Sequence, residues 1–254
     1  MTPQTLQNIQ LDSNPFIPSY FENLDRTING FYKSNLTVVG GRPCMGVRSF
    51  VLTMACKQVW AGKRVACFFM TLVNNILAQR VSRIYEHYNH SMTERSPLFY
   101  CDHRLNIDSL RKEIERLRNE NQIDIVYVES VQGIELSNMA DNVNHESCAI
   151  KLLWQLSRDF NIPVVVTSTL SRAPESREAP YEVGLSDLRG SSLIEAYADT
   201  VLLLSRPEYY NVTEELVTGM SLKNSANVYV EKNSNGPKAM IRLKYGNNVF
   251  SLFP

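Results

Sequence analysis

From residue 36 onward, short unbroken apolar runs alternate with stretches of helical period. No other feature constrains the fold as much. Leu36–Gly40, Arg64–Phe69, Leu98–Cys101, Ile125–Glu129, Pro163–Ser168 and Thr200–Leu204 read as strands. Ser49–Trp60, Asn74–Tyr88, Asn106–Asn119 and His145–Phe160 carry apolar residues at helical spacing and read as the helices between them. A strand that is apolar at every position is covered on both faces. Repeated strand–helix units therefore predict a mostly parallel α/β sheet flanked by helices. The C-terminal part differs. Asn227–Lys232, Ala239–Tyr245 and Val249–Phe253 are closely spaced, with Asn235-Gly236 and Gly246-Asn247 between them. That spacing predicts an antiparallel hairpin extension. Ala173–Gly184 and Pro207–Ala226 lack a period and read as irregular loops.

The remaining totals narrow the class. The 254 residues suffice for one large domain or two small ones. Acidic and basic residues cancel, 26 against 26, so net charge gives no support for nucleic-acid binding. No apolar run has the length of a membrane span, and the polar N-terminus lacks a signal-peptide core. The five cysteines form no close pairs and sit mostly in apolar stretches, as expected of reduced, buried thiols in a cytoplasmic protein. Residues 1–16 read as a tether or linker helix, with Leu6, Ile9 and Leu11 as its apolar stripe, ahead of a domain over 17–254.

The segment GGRPCMGVRSF, residues 40–50, lies between the first predicted strand and the first helix. Gly41 and Gly46 have the spacing of a phosphate-binding loop, whose glycines are followed by Lys and then Ser or Thr. Such a turn presents backbone N–H groups to an anion at the helix start. Here Val47 and Arg48 follow Gly46. An isopropyl group cannot donate to phosphate, and a guanidinium cannot ligate a metal. If Arg48-Ser49 acted as the pair displaced by one residue, a helix turn of about 100° would aim both side chains wrongly. The simpler expectation is Val47 in packing and Arg48 as solvated surface.

Several further segments resemble, in order, the C-terminal motor domain of DnaB-type replicative helicases. They are Ile17-Pro18 with Leu24-Asp25-Arg26 and Gly30-Phe31, the loop itself, Leu77-Ala78-Gln79-Arg80, and Asp124–Gln132. Leu170-Ser171-Arg172-Ala173, Leu185–Arg189, Ile194-Glu195, Ala198-Asp199, Glu208-Tyr209-Tyr210, and Lys232 with Asn235-Gly236-Pro237 follow. The resemblance covers about residues 16–254 and implies a RecA-like fold. It also implies a ring, usually a hexamer, with ATP and Mg²⁺ between subunits and single-stranded DNA through the channel. The family's N-terminal primase-interacting domain is expected to be absent.

By the same resemblance, nucleotide would be bound by Gly41, Arg42, Pro43, Gly46, Val47, Arg48, Ser49, Gln132 and, from a neighbour, Lys232. The family's catalytic positions fall on Val47, Arg48, Thr71, Glu129 and Ser234. Thr71 stands where the family has the glutamate that polarises water, and threonine is no base at neutral pH. Glu129 keeps a carboxylate where the family has its metal-supporting aspartate. Ser234 stands in place of an arginine finger, a group worth orders of magnitude in rate. Four losses in separate segments leave little to stabilise a transition state, so an impaired or inactive ATPase is expected. The alternative to a helicase motor is a non-catalytic scaffold or regulator that joins an active helicase or binds DNA. Phosphate binding without hydrolysis remains compatible with the backbone cradle.

For DNA, Arg172, Arg189, Gly190, Ser191 and Ser192 occupy the segments leading into the family's channel loops. Plainer roles are a cap for Asp187, an internal salt bridge for Arg189 and solvated surface for Arg172 and Arg177. His87, His90, Cys101 and His103 carry zinc-ligand chemistry, but their spacing is not that of a zinc site, and no metal is expected.

Overall fold

The structure, a computed structural model, describes residues 15–70, 74–91, 98–101, 106–136, 145–179, 181–189, 191–215 and 217–253. Of the predicted tether over 1–16, residues 1–14 lie outside them, as do Thr71, His103 and Gly190, while Phe16 belongs to a strand and not to a tether.

A nine-stranded sheet forms the centre. Its strands are β3 (Leu36–Gly41), β4 (Val65–Phe69), β5 (Leu98–Cys101), β6 (Ile125–Glu129), β7 (Val164–Thr169), β8 (Thr200–Ser205), β9 (Ser225–Asn233), β10 (Ala239–Gly246) and β11 (Val249–Leu252). The order across it is β11-β10-β9-β8-β3-β7-β6-β4-β5. Strands β3 to β8 run parallel, and β9, β10 and β11 extend the same sheet antiparallel. A separate two-stranded ribbon pairs β1 (Phe16–Ile17) with β2 (Phe31–Tyr32) around α1 (Glu22–Ile28). The remaining helices are α2 (Val47–Trp60), α3 (Asn74–His87), α4 (Ile107–Asn121), α5 (His145–Phe160) and α6 (Ser191–Tyr197).

The continuous apolar runs arise because the sheet has two cores. In β4, Val65, Cys67 and Phe69 enter one core while Ala66 and Phe68 enter the other. In β6, Ile125 and Tyr127 face the first core, and Val126 and Val128 the second. Strand side chains alternate faces, so a strand covered twice must be apolar at each position. Ten residues of α2 are buried, seven of them in the first core, among them Phe50, whose ring lies 5.6 Å from Phe21 and 5.2 Å from Phe250. A helix buried over most of its circumference has little amphipathic period. That explains why α2 starts at Val47, ahead of the expected Ser49.

The hairpin extension follows the sequence expectation with one shift. The β10–β11 connection has Asn247 and Asn248 in the left-handed region, φ 51° and 63°, while Gly246 pairs with Val249. Two consecutive positive φ values make the tight hairpin turn that asparagine tolerates. The supposedly irregular segments carry short 3₁₀ turns at Ala173–Ser176 and Pro207–Tyr210. Among the described residues no helix is long and apolar enough to cross a membrane. Cys56 and Cys67 are buried as expected, but Cys44 is exposed, because it sits in the turn after β3 with φ 68°.

Candidate anion cleft

Strand β3 lies between β7 and β8, and its C-terminal end leads through residues 42–46 into α2. In open α/β sheets the crevice beyond the carboxyl ends of the strands is where ligands bind. A cleft of about 610 Å³ opens there. Both glycines of the loop are required by its shape. A Cβ on Gly41 would stand 2.5 Å from Cγ2 of Val47. Gly46 has φ +88°, and a Cβ on it would stand 3.0 Å from the Tyr245 ring. Gly46 caps α2 without a side-chain acceptor, and the first turn has no acidic residue. The opening N–H groups of an α-helix have no intrahelical acceptors and carry its positive pole. Gly46, Val47, Arg48 and Ser49 border the cleft, so that pole is directed at it.

Arg48 departs from its sequence expectation. It is not solvated surface. Its Nε donates to Oε1 of Glu129 at 2.6 Å, and a second guanidinium nitrogen contacts the same oxygen. The Glu129 side chain is only 9% exposed, so the pair is largely withdrawn from water. The cause is placement: Arg48 is the second residue of α2, and Glu129, the last residue of β6, lies within its reach. Val47 packs on the first core and against Gly41.

Arg42 was expected at phosphate. Instead its guanidinium donates to Oε1 of Glu175 at 2.6 and 2.8 Å and to the Leu170 carbonyl at 3.1 Å. The nearby Glu175 outcompetes an open cleft for it. Pro43 and Ser49 line the cleft, with Ser49 buried in the first turn of α2. Gln132 donates through Nε2 to Ser168 Oγ at 3.1 Å, behind the cleft rather than in it. Lys232 does not line the cleft of its own chain: Nζ donates to the Glu195 carbonyl at 2.6 Å. Ser234 is exposed in the β9–β10 turn.

Two cations that sequence reasoning did not assign to the site complete it. Arg80 comes from α3 and Arg206 follows β8. Burial, then the like charge of Arg48, pulls the Arg80 guanidinium below its ordinary basicity. Arg206 stacks over Tyr245 at 4.4 Å and donates to the Cys44 carbonyl at 3.1 Å, bracing the loop. Arg80 was legible within the Leu77–Arg80 match, and Arg206 as the residue ending an apolar strand. Thr167, at the end of β7, lines the floor at 5% exposure. Its hydroxyl has no hydrogen bond to a described residue.

Away from the cleft, Asp187 is 1% exposed and accepts from Arg177 at 2.9 and 2.5 Å and from the Gly184 N–H at 2.9 Å. Arg177 is exposed, as its reading as solvated surface has it, and it also braces Asp187. Arg172, Arg189 and Ser192 are exposed, and among the described residues Arg189 has no carboxylate partner. His90 stacks on Trp60 at 3.9 Å, and among the described residues no cluster of His, Cys, Asp and Glu could hold a metal.

A central parallel strand, a glycine turn and a helix start around an anion-sized cleft define a phosphate-loop α/β domain. Known proteins make the assignment specific. The chain matches the DnaB-like helicase C terminal domain over residues 17–86 and 79–253, and it belongs to that family. It is 30% identical to a protein of Trieres chinensis named "Probable replicative DNA helicase", over 93% of this chain and 57% of that protein. Replicative DNA helicase DnaB of Geobacillus stearothermophilus is 27% identical, over 95% of this chain and 58% of its own. The chain thus spans little more than half the length of these relatives. The solved ATPase domain of G40P superposes with a TM-score of 0.78 at 21% identity, covering 95% of this chain and 94% of that one.

The family implies ATP and magnesium, and the residues present fit the two differently. Phosphate fits: the helix pole, Arg48, Arg80 and Thr167 converge on the cleft. Magnesium does not. It needs near-octahedral oxygen ligands, usually one or two carboxylates among them. Here Oε1 of Glu129 is engaged by a guanidinium, whose positive charge opposes a cation, and the position of the family's metal hydroxyl is that guanidinium's own residue.

Proposed function

We propose that this chain is a replicative-helicase motor domain that retains the fold and the anion cleft but does not hydrolyse ATP. The observation that carries this reading is the Arg48–Glu129 contact at the end of β6. Phosphoryl transfer needs charge neutralised on the γ-phosphate, a bound metal, an aligned water and a cation from the neighbour. Val47 supplies no charge. Arg48 holds one oxygen, Oε1, of the carboxylate that would support the metal and places a positive charge beside it. Position 71 is threonine and position 234 serine. Each loss removes stabilisation that the transition state needs and the ground state does not.

The same reading gives the chain a place in a ring, as a scaffold or regulator beside an active helicase. Lys232 and Ser234 would then face a neighbour's cleft. Single-stranded DNA would be held by Arg172, Arg189, Ser192 and the backbone near Gly190 and Ser191. Exposure of Arg172, Arg189 and Ser192 supports that reading. Phosphate release from Mg-ATP, with and without single-stranded DNA, tests the chemistry. Release at background level is expected. A turnover of about one per second, an ordinary enzyme rate, that disappears in Arg48→Ala sinks the reading. Mass in solution with and without DNA tests the ring: a monomer in both removes it.

A further inference from the structure

We propose that the cleft binds the phosphate chain of a di- or triphosphate without a divalent cation, the Arg48 guanidinium standing where a hydrolysing site holds its metal. The inference rests on the non-hydrolysing reading above and goes beyond it, because loss of catalysis alone leaves metal dependence unchanged.

The argument is one of charge and access. Arg48, Arg80 and Arg206 line the cleft, and among the described residues Glu129 is its one lining carboxylate. Arg42 also lines it, but Glu175 offsets that charge. Arg206 is turned onto Tyr245 and the Cys44 carbonyl. Arg80 has no carboxylate partner among the described residues and is half-buried, so its charge is available to a ligand. The Arg48 side chain is 30% exposed, so an arriving phosphate can share its guanidinium with Glu129. A planar guanidinium has five donors and can serve both at once. The uncapped helix pole adds N–H donors, and Thr167, nine-tenths buried on the floor, adds a hydroxyl. A divalent cation would enter against these guanidinium charges, at a carboxylate whose Oε1 already accepts from Arg48. Complexing the ligand with magnesium lowers its negative charge, and so weakens its attraction to the cleft.

Calorimetric titration of the whole chain with inorganic tripolyphosphate and with ATP tests this, first in EDTA and then in excess magnesium. Binding in EDTA is expected, with magnesium weakening it severalfold. Similar affinity for the two ligands assigns recognition to the phosphate chain. Clearly tighter ATP adds a contribution from the nucleoside and leaves the proposal intact. Arg48→Gln should lower affinity in EDTA by about tenfold, the scale of one charge-assisted hydrogen bond. Arg80→Gln should do the same without touching Glu129, and covers the case in which Arg48→Gln does not fold. Arg116→Gln, on the exposed face of α4, removes one charge elsewhere and should change affinity less than twofold. Binding that requires magnesium overturns the proposal, as does binding that both cleft variants leave intact. So does absence of binding by either ligand at about 1 mM. Phosphate release separates the two failures. Magnesium-dependent binding without release defeats this inference alone, and with release it defeats the non-hydrolysing reading as well.

Discussion

Two arginine–carboxylate pairs in this chain have the same chemistry and different consequences. Asp187 is sealed in a loop, with Arg177 on both oxygens and the Gly184 N–H on one of them. Glu129 ends a strand at the mouth of a cleft, and its partner Arg48 stays partly open to solvent. The first pair substitutes for packing in a segment without regular structure. The second occupies a ligand site. Both arginines keep some exposure, 42% for Arg177 and 30% for Arg48, so place decides between these roles: the first pair does not line the cleft, whereas the second does and can exchange partners there.

The comparison can be broken by mutating each side. Asp187→Ala should have the largest effect on stability, about 2–3 kcal/mol, since it strands the Gly184 N–H and unties the loop. Urea denaturation measures it, and anion binding by the surviving fold should be unchanged. Glu129→Gln should cost less, about 1–2 kcal/mol, because Arg48 can turn to cleft water. It should also tighten tripolyphosphate binding by removing the cleft's lining carboxylate. A loss of affinity would mean that Glu129 holds Arg48 in its binding position. The double change Val47→Lys with Arg48→Ser recreates the Lys-Ser pair. Magnesium should then raise the melting temperature in the presence of ATP, as ligand binding to the native state must. It should not do so in the parent. Lys232→Ala should have the smallest effect, within about 0.5 kcal/mol, because its contact with the Glu195 carbonyl is at the surface. Equal destabilisation by Asp187→Ala and Lys232→Ala would undo the weight placed on the burial of Asp187.

What was legible in the sequence follows the range of each interaction. The parallel strands could be read because burial on both faces makes every position apolar, as in β4 and β6. The phosphate loop could be read because its glycines answer local demands, close approach at Gly41 and positive φ at Gly46. The β1–β2 ribbon has strands of two residues, too short for any period, and only the family resemblance marked that region. The α6 helix begins within the segment read for DNA contact, at Ser191, and its seven residues were too few to announce it. Arg48 and Glu129 lie 81 residues apart, so nothing local links them. The sequence could show that the lysine and hydroxyl were missing. It could not show that the replacement arginine reaches across the cleft to the carboxylate the metal would need. The exposure of Arg177 was legible, but its bond to Asp187 was not, since that partner comes from another turn of the loop.

The account turns on Arg48 taking Glu129 away from metal chemistry. Crystals grown with Mn²⁺ and a non-hydrolysable triphosphate, examined by anomalous scattering, test this directly. The account predicts Arg48 within hydrogen-bonding distance of Glu129 and no manganese peak on that carboxylate. A manganese ion bonded to Glu129, with Arg48 swung aside, would contradict it.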